Sequence, residues 1–253
     1  MANNNIAIAA AAVVIVIVVV GGLYFLYANK STTTPTTTVA AGGGGTGSAK
    51  TVFTYSDAAA SGVSSVNMQV QSVQMQNSAT GQWYTAAMAS NGGSLKLQGQ
   101  SSYTLIGNAS VPAGTYSAVQ MNVQSATATY ANGTTETVVM PNSTLRMTGT
   151  FTVQSTANTS STNWINFDVK SDQSLHSSAS GQLVLFPVVE VVAWSNAQLS
   201  SGANNTVNVQ NYGAVTADEN AGMNISGQMQ ANFVLPATTN VTVSGTGVIS
   251  ISG

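Results

Sequence analysis

From Thr51 onward apolar side chains recur at every second position over long stretches. Successive residues of a strand point to opposite faces, so a period of two puts one row on a core and the other in water. Val66, Met68 and Val70 form such a row. The phase then slips at Ser72 and continues through Val73 and Met75, which predicts a bulge. Leu145, Met147, Phe151 and Val153 share a face across Gly149, and Ile165, Phe167 and Val169 share another. Ile225, Met229, Ala231, Phe233 and Leu235 alternate with polar residues, and Val241–Ile251 reads as a final strand. Turn signals stand between these runs at Asn91-Gly92-Gly93, Pro112-Ala113-Gly114, Asn132-Gly133 and Pro141-Asn142. Leu183–Trp194 is almost continuously apolar and predicts a central strand covered on both faces. Pro187 removes one donor there and predicts a bulge or a switch of sheets. Glu190 interrupts the run and needs a hydrogen-bonding partner or a proton. No amphipathic helix follows Tyr27. The expected fold is all-β, an antiparallel β-sandwich of Ig-like kind, carrying an N-terminal hydrophobic segment and an extended tail.

Three segments follow from these patterns. Residues 1–30 read as a signal peptide or membrane anchor. Within them Ile6–Tyr27 is an apolar run of 22 residues, about 33 Å as a helix and enough to cross a bilayer. Tyr24, Phe25 and Tyr27 end it like an interfacial belt, with Lys30 beyond. The run lacks a basic leader, and its Val and Ile residues would also suit a strand. Residues 31–50 form a Thr/Gly-rich extended tail. Residues 51–253 form the sandwich body.

Charge is scarce. Lys and Arg number 5 and Asp and Glu 7, so 5% of the chain is charged, against roughly 25% in ordinary globular proteins. The surface must be built from hydroxyl and amide side chains. Such a surface is indifferent to pH, which suits an acid-facing exterior. A basic patch is lacking, so nucleic acid is not an expected partner. Cysteine is absent, which excludes disulfides and thiolate metal sites.

Candidate chemistry is thin. His176 is the single histidine, and its neighbours Ser174, Ser177 and Ser178 do not by themselves make a triad. Asp168 and Asp172 could pair, but calcium requires six to eight oxygens. Asp218-Glu219-Asn220 reads as an exposed turn. Gly42–Gly45 lacks the lysine and helix of a phosphate loop. Trp83, Trp164 and Trp194 could stack on sugars or pack at strand ends. Lys96 or Lys170 beside a carboxylate could form a covalent cross-link. No enzymatic activity, cofactor or metal is expected. Asn-X-Ser/Thr occurs at Asn29, Asn108, Asn132, Asn142, Asn158, Asn204, Asn224 and Asn240, the signature of N-glycan acceptors on an exported chain.

Leu105-Ile106-Gly107, then Pro112-Ala113-Gly114-Thr115-Tyr116 leading into Ser117–Ser125, then Ile165–Val169 and Leu183–Val191, stand in an order that resembles a family of secreted archaeal and bacterial β-sandwich domains of unknown function, over roughly Thr51 to Ala197. In that family the Pro-Ala-Gly-Thr-Tyr segment is a hairpin. Together with the N-terminal run, the Thr/Gly tail and the sequons, the chain also resembles the subunit of the archaeal thread filament. That resemblance implies a pilin-like sandwich and a glycosylated extracellular pilus serving surface attachment. Its subunits run head to tail, and the tail of one completes the sheet of the next. The donor strand is placed at Thr36, Thr37, Thr38, Val39, Ala40 and Ala41. Expected partners are other copies of the chain, N-linked glycans and, at least transiently, a membrane through Ile6–Tyr27. The alternative is a membrane-anchored cell-surface or S-layer-associated sandwich that binds glycans or another surface protein.

Overall fold

The computed structural model describes residues 47–90, 93–100, 102–156, 160–244 and 248–252. All of them fall in the unit Gly42–Gly253. Ile6–Tyr27 and the proposed donor Thr36–Ala41 lie outside the described residues, as do Asn29 and Asn158. Among the described residues no helix is long and apolar enough to cross a membrane.

The strands are β1 (Ser48–Ala58), β2 (Ser65–Asn77), β3 (Trp83–Thr85), β4 (Ala87–Met88), β5 (Ser94–Leu97), β6 (Tyr103–Pro112), β7 (Gly114–Thr129), β8 (Thr135–Val138) and β9 (Thr144–Val153). They continue as β10 (Thr162–Lys170), β11 (Leu175–Ser177), β12 (Leu183–Leu185), β13 (Val188–Ser201), β14 (Thr206–Asn211), β15 (Val215–Met223), β16 (Met229–Ala231), β17 (Asn240–Val243) and β18 (Ile249–Ser252). One short helix, α1 (Ser171–Ser174), follows β10.

Two large sheets make the sandwich. The first has eight strands in the order β10-β1-β6-β14-β13-β15-β16, with β4 added to β6. The second has six, β3-β2-β7-β8 with β5 on β2 and β9 on β7. Their inner faces meet in one core. Phe53, Ile106, Ile165, Phe167 and Val191 come from the first sheet, and Met68, Met75, Leu95, Met121, Met147 and Phe151 from the second. Within these two sheets the strand pairings are antiparallel with one exception, β1 beside β10, which is parallel.

The period-2 rows supply this core. Val66, Met68, Val73 and Met75 are fully buried. The register of β2 on β7 shifts on both sides of Val70, so the phase slip is a bulge. Leu145, Met147, Phe151 and Val153 are buried together, as are Ile165, Phe167 and Val169.

Several elements depart from expectation. Pro112-Ala113-Gly114 does not close a hairpin: β6 belongs to the first sheet and β7 to the second, so the chain crosses between layers at Ala113. Tyr116 fixes the corner, since its buried hydroxyl donates to the Pro112 carbonyl at 2.7 Å. Leu183–Trp194 is two strands. Pro187 is the switch of sheets expected of it: it separates β12, paired with β11, from β13, which lies between β10 and β15. Val241–Ile251 is a hairpin of β17 and β18. Asp218-Glu219-Asn220 lies within β15 and is not a turn. Asp218 and Asn220 are exposed, while Glu219 is half-buried and would collide with any side chain at Gly149.

The first sheet also returns on itself. Besides joining β1, β10 pairs with β13, so β10, β1, β6, β14 and β13 form a closed hydrogen-bonded circuit. Gly107 allows the close approach of β4 at the middle of β6: a Cβ there would stand 2.5 Å from the Ala87 carbonyl oxygen of β4.

Candidate functional site

Each strand of the circuit, or the residue just after it, gives a side chain to one cluster on the face turned away from the main core. Val52, Thr54 and Ser56 of β1 stand beside Trp164, Asn166 and Asp168 of β10. Trp194 of β13 faces Trp164, and the two indoles stack at 4.0 Å and 17°. Tyr103 of β6 meets Trp164 edge-on at 4.7 Å. Tyr212, just after β14, leans on both tryptophans and is 55% exposed.

Beneath the rings runs a chain of hydrogen bonds. Trp164 Nε1 donates to Thr54 Oγ1 at 2.8 Å. Thr54 donates to Asn166 Oδ1 at 2.8 Å, and Asn166 Nδ2 donates to Ser56 Oγ at 2.9 Å. Trp164, Thr54 and Asn166 are all buried, so each bond satisfies a group that would otherwise lack a partner. Trp164 is therefore a packing residue, and the accessible aromatic surface belongs to Tyr212 and to the half-buried Trp194 and Tyr103.

The same face carries the charged groups. Lys170 bonds Asp168 and sits 3.0 Å from Glu190. Burial lowers the ammonium pKa, but the two carboxylates outweigh it and the net shift is upward. The amine is held as a cation, which is an ion pair's chemistry and not that of a nucleophile. Lys96 is exposed on β5. Asp172 lies in α1, and among the described residues no three His, Cys, Asp or Glu side chains gather as a metal set.

His176 is buried on β11, edge-on to Phe186 at 5.6 Å. Ser174 is committed elsewhere: its hydroxyl donates to the Lys170 carbonyl at 2.6 Å and accepts from Val188 N–H at 2.9 Å. These residues are not assembled as a triad.

The outer face of the six-stranded sheet is a lattice of amides and hydroxyls. Gln74 Nε2 donates to Thr85 Oγ1 at 2.9 Å, and Gln120 Nε2 to Gln74 Oε1 at 2.8 Å. Asn122 Nδ2 donates to Ser72 Oγ at 2.8 Å, and Thr144 Oγ1 to Asn122 Oδ1 at 3.0 Å. At one side Arg146 donates to Gln76 Oε1 at 2.8 Å and lies 5.2 Å from the Trp83 ring centroid. This is how a charge-poor strand surface stays hydrated and ordered.

The sequon asparagines are spread over the body. Asn108 is exposed in the middle of β6 and not in a turn. Asn132 is exposed between β7 and β8, its Oδ1 accepting from Thr134 N–H at 3.0 Å and Oγ1 at 2.7 Å. Asn142 is exposed before β9 and donates to the Gly227 carbonyl at 2.9 Å. Asn204 is exposed in a 3-10 turn at φ 55. Asn224 is half-buried and accepts from Gln228 N–H at 3.0 Å. Asn240 is exposed at the start of β17.

Tyr103, Tyr212, Thr54, Asn166 and Arg146 escaped the sequence reading. A signal existed for some: Trp164 occupies the polar parity of β10, the wrong side for a core residue of that strand.

Residues 48–187 match the model of a family described as a domain of unknown function, DUF4382. The chain belongs to the DUF4382 family. No curated protein and no solved structure matches it. The DUF4382 match ends at Pro187, where the backbone leaves β12. Strands β13 to β18 lie beyond it, so Trp194 and Tyr212 come from outside the DUF4382 segment.

Proposed function

We propose that the chain is the structural subunit of an extracellular filament, assembled head to tail by donation of an N-terminal strand to a neighbour and serving surface attachment. The supporting observation is the C-terminal hairpin. Among the described residues β18 pairs with β17 alone, and Val248 beside it is 63% exposed. Two strands are marginal by themselves, and an unpaired edge accepts another strand through main-chain hydrogen bonds. A contact between one end of a molecule and the opposite end of the next does not close, so it propagates. The near-neutral amide surface offers little charge repulsion between copies.

Negative-stain micrographs of the full chain are expected to show filaments. Deleting residues 31–46, which stops short of β1, is expected to leave monomers whose near-UV circular dichroism is unchanged. Filaments that survive the deletion would eliminate the tail as donor. The mature N-terminus, read by mass spectrometry on material shed from cells, tests export.

A further inference from the structure

We propose that the pocket beside Asn204 holds the first sugars of a neutral glycan attached to Asn204 itself. The pocket has a volume of about 370 Å³, at the lower end of the roughly 300–1,000 Å³ usual for ligand sites. Residues 204–206 form one wall. Ser94 of β5, in the six-stranded sheet, faces them together with Tyr55 of β1 and Thr104 of β6, in the eight-stranded sheet. The pocket therefore lies where the two layers meet. Gln98 and Gln100 complete it. The lining carries no charged side chain, only amides and hydroxyls that can both donate to and accept from sugar hydroxyls. Burial raises the Tyr55 pKa, and its hydroxyl accepts from Lys96 N–H at 3.1 Å, so the tyrosine stays neutral.

The sequon decides how the sugar is held. Asn204-Asn205-Thr206 stands at the rim, and Asn204 is exposed in a turn at φ 55. Its side-chain amide has no hydrogen-bond partner among the described residues. Other sequon amides are engaged. Asn142, which borders a different groove, is held at both ends, by the Gly227 carbonyl at 2.9 Å and Thr144 N–H at 3.0 Å. Asn132 and Asn224 accept from Thr134 and Gln228 N–H groups. Attachment requires a glycosyl phosphate donor. A bond forms between Asn204 Nδ2 and the sugar C1, the C1–O bond breaks with its electron pair leaving on the phosphate, and Nδ2 loses one proton. A sugar so tethered starts at the rim of the pocket and needs no affinity of its own to reach it.

The test begins with glycopeptide mass spectrometry of the full chain from its own cells, where Asn204 is expected to carry uncharged sugar. Melting temperatures are then compared for the natural chain, Asn204→Gly, Gln98→Ala and the double variant. Glycine keeps the φ 55 turn and removes the attachment point. Each single change is expected to lower the melting temperature by about 2–4 °C. The double variant is expected to fall no further than Asn204→Gly, because Gln98 acts through the sugar. In the same chains made without N-glycosylation, the Gln98→Ala effect is expected to vanish. The proposal is overturned if Asn204 bears no sugar or a charged one, or if the two changes add, which would leave the glycan in solvent. It is also overturned if the Gln98→Ala effect persists without glycan. It shares with the proposed function only the export of the chain, and micrographs of the same samples report filaments separately, so either can fail alone.

Discussion

Asp57 and His176 are buried titratable side chains whose surroundings act in opposite senses. Burial raises the Asp57 carboxyl above its usual 3.8, although Gly99 and Gln100 N–H groups bond it at 2.7 and 3.1 Å. The folded chain then keeps a proton that the unfolded chain has lost. Stability from Asp57 is present below pH 3.8 and is lost as pH rises through the folded value. Burial lowers His176 below 6.5, against a hydrogen bond to the Gln173 backbone. Its Nε2 has no partner, so the unfolded chain takes the proton first. Stability from His176 is present above pH 6.5 and is lost as pH falls through the folded value. Melting temperature followed against pH is expected to lose its decline just below pH 6.5 in His176→Gln, and to lose its gain as pH falls toward 3.8 in Asp57→Asn. In the aromatic cluster, Asn166→Ala strips the acceptor from buried Thr54 and is expected to cost about 1–3 kcal/mol in urea unfolding.

Pro187 divides what reads as one apolar run into β12 and β13, and β13 is the strand on which the first sheet closes. Its partner β10 is buried on both faces because of that closure. Removing residues 188–253 leaves the DUF4382 segment with β10 exposed along one edge and with Val189, Val191 and Ala193 missing from the core. That piece is expected to lack a cooperative melting transition, measurable by calorimetry. Gly107→Ala sets a methyl against the Ala87 carbonyl and is expected to destabilise by about 1–3 kcal/mol in urea unfolding. The strands of the sandwich core were legible because rows such as Val66–Met75 and Leu145–Val153 bury one face and wet the other. The circuit was not, because it depends on which distant strands pair. Nothing local in Thr54 or Tyr103 signals that Trp164 will cover it. The corner at Ala113 misled for a related reason: a Pro-x-Gly turn fits a hairpin and a change of layer equally well.

At the scale of the molecule, electrostatics contributes little to holding the body together. Lys170 with Asp168 and Glu190 is a partly exposed ion-pair cluster, and such pairs are worth about 0–1 kcal/mol. Raising salt from low to molar concentration is therefore expected to lower the melting temperature by no more than about 2–4 °C, by differential scanning fluorimetry. Solubility must instead rest on hydroxyls, amides and any attached glycans. β1, the first strand of the body, is hydrogen-bonded to β6 on one side and β10 on the other. Tension entering at Gly47 along the strand would meet both ladders in shear, so many bonds must fail together instead of opening one after another like a zip. Unfolding under load is a rate process set by that barrier. A subunit pulled by its tail would thus yield late, at the strand where the load enters.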